Sequence, residues 1–189
     1  MITNLGNDVL IDFERDEFQL NGWAKFHRLA ASGVPGINSQ IDVNSQPPTF
    51  DIAMDGNDIV VTRVQGGIRI DRAQTWVVSG HETDDLLEHE QGHYYIIYIS
   101  YVFALKAIRA LRVPVAKTHI PIGVSAHQQQ TIMHNTVILR IRPIFAQSQS
   151  RMTQLTSQYD TETNHGINRP EQQEWNRRFA RSLVSGTEL

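Results

Sequence analysis

Short apolar runs punctuated by polar turn residues mark the first eighty residues, and beyond them apolar positions recur with the period of a helix. Residues 9–13, 50–54, 59–64, 68–70 and 75–78 are short runs rich in β-branched and aromatic side chains, separated by turn signals such as Asp55-Gly56-Asn57 and Gln65-Gly66-Gly67. Such runs predict strands, here an antiparallel meander. Ile68 and Ile70 alternate with Arg69 and Asp71, so that strand is expected to keep one face wet. Between the first run and the rest, residues 23–48 predict a short helix over 23–30 and then a loop rich in Gly, Pro, Ser and Asn.

After residue 80 the apolar positions recur at helical spacing. Thr83 can cap a helix, Asp84 and Asp85 suit its first turn, and Leu86, Leu87, Ile96 and Ile97 continue an apolar pattern, which predicts one long central helix over 83–111. Pro114, Pro121 and Gly123 then break the chain. A second helical region is expected over 126–159, interrupted or kinked at Pro143. A third begins near Pro170, with Trp175, Phe179 and Leu183 as its buried stripe. Tyr94, Tyr95, Tyr98 and Tyr101 read as core packing. The whole is an α+β chain, expected to form one domain over 1–189, mainly strands in 1–80 and mainly helices in 83–185.

Composition narrows the function classes. A net charge of −3 and an isoelectric point near 6.2 argue against nucleic acid as a partner. The chain has no Cys, which excludes disulfides, thiol catalysis and cysteine-held zinc, so a metal must rest on His and carboxylates. Residues 94–105 form the most apolar run but fall short of the roughly 20 residues that span a bilayer. Residues 1–8 carry neither a basic nor a long apolar stretch, so no signal peptide is expected and the chain as it stands reads as cytoplasmic.

One stretch specifies chemistry: His89-Glu90-Gln91-Gly92-His93. Two histidines four apart lie on one face of a helix, where both imidazoles reach a single zinc ion, and the adjoining Glu90 can act on a water at that ion as general base. The extended form of this pattern needs Gly and His at 96 and 99; Ile96 and Ile99 stand there. Between Glu90 and Asp160 there is no acidic residue, although Lys106, Arg109, Arg112, Lys117, Arg140, Arg142 and Arg151 occur. A carboxylate partner must therefore come from before residue 90 or from Asp160 onward. Tyr159-Asp160-Thr161-Glu162-Thr163-Asn164-His165-Gly166 gathers the needed groups at a helix end. His165 is the preferred third ligand, with Asp160 orienting an imidazole from behind. In the alternative, Asp160 is the ligand and His165 stabilises the oxyanion. Tyr159 is a further candidate for an oxyanion hydrogen bond. His81, His119, His127 and His134 read as structural or solvated.

The string Leu86-Leu87-Glu88-His89-Glu90-Gln91-Gly92-His93-Tyr94, the later Tyr159-Asp160-x-x-Thr163-x-His165-Gly166 and the opening Phe13-Glu14-Arg15 to Trp23 together resemble a little-characterised bacterial family of predicted, often exported, zinc-dependent proteases of the zincin group. The resemblance implies a zincin-like fold in which the histidine helix lies under a twisted antiparallel sheet and is followed by further helices. The expected function is hydrolysis of a peptide or protein substrate by a water on Zn²⁺, the substrate lying along an edge strand, 68–71 or 75–78. The competing expectation is a metal-binding or interaction module whose structural zinc is closed off by His89, His93, Asp160 and His165.

Overall fold

All strands but one precede the helices, and they pair differently from a meander. The computed structural model describes residues 1–14, 18–118, 121 and 123–189. Strands β1 (Ile2–Asn4), β2 (Val9–Asp12), β5 (Val43–Asp55) and β6 (Asp58–Ile70) form a sheet in the order β1-β2-β6-β5, and β8 (Arg112–Pro114) also pairs with β6. β2 runs parallel to β6, with Val9 opposite Val64, while β5 and β6 are a long antiparallel hairpin turning at Gly56-Asn57 between the paired Asp55 and Asp58. A second sheet of β3 (His27–Leu29), β7 (Trp76–Val78) and β4 (Ser39–Gln40) has β7 in the middle. The architecture is mixed α+β.

Three local expectations need correcting. Residues 59–64 and 68–70 belong to one strand, because β6 continues through Gln65-Gly66-Gly67. Its glycines are there for a close approach: a Cβ on Gly66 would fall inside the ring of Tyr101. Residues 27–29 are the strand β3 and no helix, held by parallel pairing with β7, since ladder partners outweigh weak local propensity. Of the two stretches suggested for substrate, β7 is no edge, being flanked by β3 and β4, whereas Ile68–Ile70 lies past the end of the β2 pairing at Gly67 and is paired with β5 alone.

Helix α1 (Asp84–Arg109) starts where Thr83 Oγ1 accepts the Leu86 amide at 3.2 Å. It packs its buried Ile96, Ile99, Leu105 and Ile108 against Ile59, Val61, Val64 and Ile68 of β6 in one core. Each fully buried aliphatic side chain contributes about 1.5–3 kcal/mol. Helix α2 (Ala126–Thr163) opens with a capping box of Ser125 and Gln128 and runs uninterrupted past Pro143. It returns antiparallel along α1, so that Ser148 donates to the Ser100 carbonyl at 3.2 Å and its far end reaches the histidines. Helix α3 (Arg169–Ser185) buries Gln172, Trp175, Phe179 and Ser182 along one face. No helix among the described residues is long and apolar enough to cross a membrane.

Candidate metal centre

The α1 face bearing His89, Glu90 and His93 meets the end of α2 on one side and the edge strand β4 on another. A cavity of about 620 Å³ opens there, walled by residues 36–41, by His89, Glu90, His93 and Ile97 of α1, by Thr156 and Asp160 of α2, and by residues 164–167. That volume suits a ligand of several residues' bulk. Two elements bracket the histidines because α2 ends in left-handed residues: Asn164 (φ 48°), His165 (φ 53°) and Gly166 (φ 84°) turn the chain back over α1. At Gly166 a Cβ would crowd the Cβ of His89 at 3.0 Å, so glycine permits both the turn and the contact.

The donor atoms converge. His89 Nε2 and His93 Nε2 lie 3.2 Å apart, and Asp160 Oδ1 is 3.2 Å from the first and 3.0 Å from the second. A tetrahedral zinc with bonds of about 2.0–2.1 Å requires ligand atoms roughly 3.3 Å apart, so the triangle is of the right size. His165 Nδ1 sits farther out, 3.7 Å from the same Asp160 oxygen, on a half-exposed side chain; His89, Asp160 and His165 each offer a donor within 4.8 Å of the others. Buried Asp160 Oδ1 accepts no well-directed hydrogen bond despite its two imidazole neighbours.

Electrostatics follow from this crowding. Burial alone would raise the Asp160 carboxyl, but its contacts with His89 and His93 and their charge hold it well below the carboxylate range. Burial opposes charge on His93, yet the bond to Asp160 and the charges of Glu90 and Asp160 outweigh it and raise its pKa. Such opposed, mutually dependent ionisations mark a group of acids and bases that a cation would stabilise.

Glu90 is buried, with 3% of its surface exposed. Its Oε1 accepts from Ser39 Oγ at 2.6 Å, and its Oε2 is buried without a partner. That oxygen lacks a donor that a water in the cavity could supply. Ser39 is on β4, and residues 36–41 present that strand's outer side to the cavity; among the described residues β4 pairs only with β7.

Tyr159 is placed differently from its expected role. Its ring stacks on His89 at 4.6 Å between centroids, its hydroxyl donates to the His89 carbonyl at 3.1 Å, and it is fully buried beneath the histidine. Burial also pushes its pKa up. Tyr159 therefore supports His89 from behind and does not reach the cavity.

Of the remaining histidines, His81 lines the cavity rim, His134 stacks on Phe50 at 4.6 Å, His127 is exposed in the first turn of α2, and His119 lies outside the described residues. Two residues here carried no motif: Ser39, and Gln172, whose amide oxygen is 3.4 Å from His89 Nδ1. A lone Gln three positions before Trp175, on a stripe that also carries Ser182, gave no signal for Gln172. A serine in a two-residue strand offered none. Compared with known proteins, the chain matches no family profile, no curated protein and no solved structure.

Proposed function

We propose that the chain is a zinc-dependent peptidase whose metal rests on His89, His93 and Asp160, with His165 at the rim beside the position left open for substrate. The observation that carries this reading is the triangle of three donor atoms 3.0–3.2 Å apart with the unpaired, buried Glu90 Oε2 next to it. The distances favour Asp160 over His165 as third ligand, the reverse of the order that spacing suggested. A histidine helix lying beside an edge strand, with its third ligand brought by a later helix, supports a zincin-like arrangement.

Zinc, when bound, supplies Lewis acidity to the substrate carbonyl and lowers the pKa of water toward 7. Glu90 Oε2 removes a proton from the attacking water as the C–O bond forms, then returns it to the amine as the C–N bond breaks. His165 donates toward the oxygen on which negative charge develops. The peptide lies extended beside β4, on the side turned away from β7, and adds to it as a strand.

Elemental analysis of wild type, Asp160→Ala and His165→Ala tests the site. About one zinc per chain, lost in Asp160→Ala and kept in His165→Ala, is expected. Loss confined to His165→Ala would reverse the ligand assignment. Glu90→Gln should keep its zinc and lose about 10²–10⁴-fold in peptide hydrolysis; full activity in that variant would end the mechanism. A second reading, a closed structural site, draws on His165 Nδ1 lying within 3.7 Å of Asp160. A closed site refuses a hydroxamate, whereas a site with an open position binds one.

A further inference from the structure

We infer that Gln172 is a positioning residue that holds the proton of His89 on Nδ1, so that Nε2 meets the metal with its lone pair, and that its own orientation is set through Asn176 by Glu88. This rests on the zinc reading above. The reasoning starts at the partly exposed end of the chain of contacts, where Glu88 is held by Arg169 Nη1 at 2.7 Å. An ionised carboxylate only accepts hydrogen bonds.

Glu88 accepts from Asn176 Nδ2 at 2.8 Å, which turns Asn176 Oδ1 inward. That oxygen needs a donor, and Gln172 Nε2 provides it at 3.2 Å. The same Nε2 donates to Tyr159 Oη at 2.7 Å. The single Tyr159 proton has two acceptors, Gln172 Oε1 at 3.0 Å and the His89 carbonyl at 3.1 Å. With Nε2 committed to Asn176 and Tyr159, Gln172 Oε1 is the acceptor end of the amide, 3.4 Å from His89 Nδ1. Thr163 Oγ1, 3.3 Å from the same nitrogen, gives its own proton to the Tyr159 carbonyl at 2.6 Å and so can only accept there as well. The proton of the neutral imidazole is therefore held on Nδ1.

The consequence for the site is directional. With hydrogen on Nδ1, His89 Nε2 presents a lone pair to the point where His93 and Asp160 converge. Without the relay, Asp160, 3.2 Å from that Nε2, would draw the proton onto it and oppose a cation. Gln172 and Thr163 are 0% exposed, so water does not stand in for either acceptor. Flipping either amide would set oxygen against oxygen and leave an N–H facing another donor.

The test is zinc affinity, measured by competition with a chromophoric chelator on the full chain. Gln172→Met keeps the bulk and removes one of the two acceptors at His89 Nδ1, leaving Thr163 Oγ1; it should bind zinc about 10-fold more weakly while the metal-free protein still melts cooperatively. In ¹⁵N-histidine-labelled zinc protein, the Nδ1 proton of His89 should exchange faster and shift in the variant, held by Thr163 alone, with the His93 signals kept. Asn176→Leu should act in the same direction and more weakly. Because it acts through Gln172, the double variant should be no worse than Gln172→Met alone.

Wild-type affinity in Gln172→Met, or losses that simply add in the double variant, would overturn the relay and leave the zinc reading standing. A wild type that binds no zinc overturns both. Should Gln172→Met fail to fold, the half-buried Asn176→Leu carries the test: a threefold or greater loss supports the relay and unchanged affinity ends it.

Discussion

The residue that most constrains the chemistry outside the histidines is Ser39, because it occupies one oxygen of Glu90 and leaves the other turned to the cavity. A carboxylate buried this far needs its lone pairs directed, and a hydrogen bond to a charged group is worth about 1.5–3 kcal/mol. Ser39→Ala should leave zinc affinity within about twofold of wild type and lower kcat about tenfold or more, with little change in KM, since roughly 1.4 kcal/mol of transition-state stabilisation is a factor of ten. Steady-state kinetics beside a zinc titration checks this; an unchanged kcat would mean that Glu90 is held by other groups. Gly92, inside the motif, has an equally local reason to be what it is. A Cβ there would fall inside the hydroxyl of Tyr159, and that hydroxyl is what braces His89. The pentad and the Tyr159–Gly166 string drew notice because metal-ligand spacing lies in residue order, and the fold does bring His89, His93 and Asp160 together. Ser39 and Gln172 did not, because each meets its partner across a long loop of chain, 51 and 83 residues away, and a lone Ser or Gln has many ordinary places in a fold.

Among the elements, α1 was readable from end to end because cap, acidic first turn and basic last turn agree with its apolar pattern. β6 was not, since Gly66-Gly67 has the look of a turn until Tyr101 is known to lie against it. The same lesson applies to α2, where Pro143 suggested a break but 38 residues form one helix. Proline in a helix interior removes one backbone hydrogen bond and crowds the carbonyl four residues earlier, at a cost of about 3 kcal/mol. Here the neighbours on both sides of α2 sustain it: Val137 and Ile141 are buried, and Ser148 is bonded to α1. Pro143 itself is exposed, so Pro143→Ala should restore the bond without disturbing the core. Urea unfolding of the metal-free variant should show a gain in stability of about 1–3 kcal/mol. A loss would mean that α2 needs a bend at this point to reach both Phe50 and the histidines.

At the scale of the whole molecule the site is a meeting point of the edge strand β4, helix α1, the end of α2, the turn at 164–166 and helix α3, so on the proposed zinc reading metal binding and global stability are coupled. The coupling has a definite dependence on pH. Asp160 has a depressed pKa in the fold; its contribution is present above the ordinary value of 3.8 and is lost as pH falls toward the folded one. His93 has a raised pKa; its contribution is present below the ordinary value of 6.5 and is lost as pH rises through the folded one. The metal-free protein should therefore be most stable between these limits and weaken on either side. Zinc reverses the upper limit, because it binds neutral imidazoles and gains affinity as they lose protons. At zinc a thousandfold above Kd, the stabilisation is about 4 kcal/mol, or about 8–16 °C in melting temperature for a chain of this size. Scanning calorimetry at pH 5 and pH 8, with zinc and with chelator, should show the two forms melting close together at the lower pH and well apart at the higher. A separation that does not change with pH would mean that His93 and Asp160 do not share the metal, because then the protons they exchange with solvent would be the same with zinc and without it.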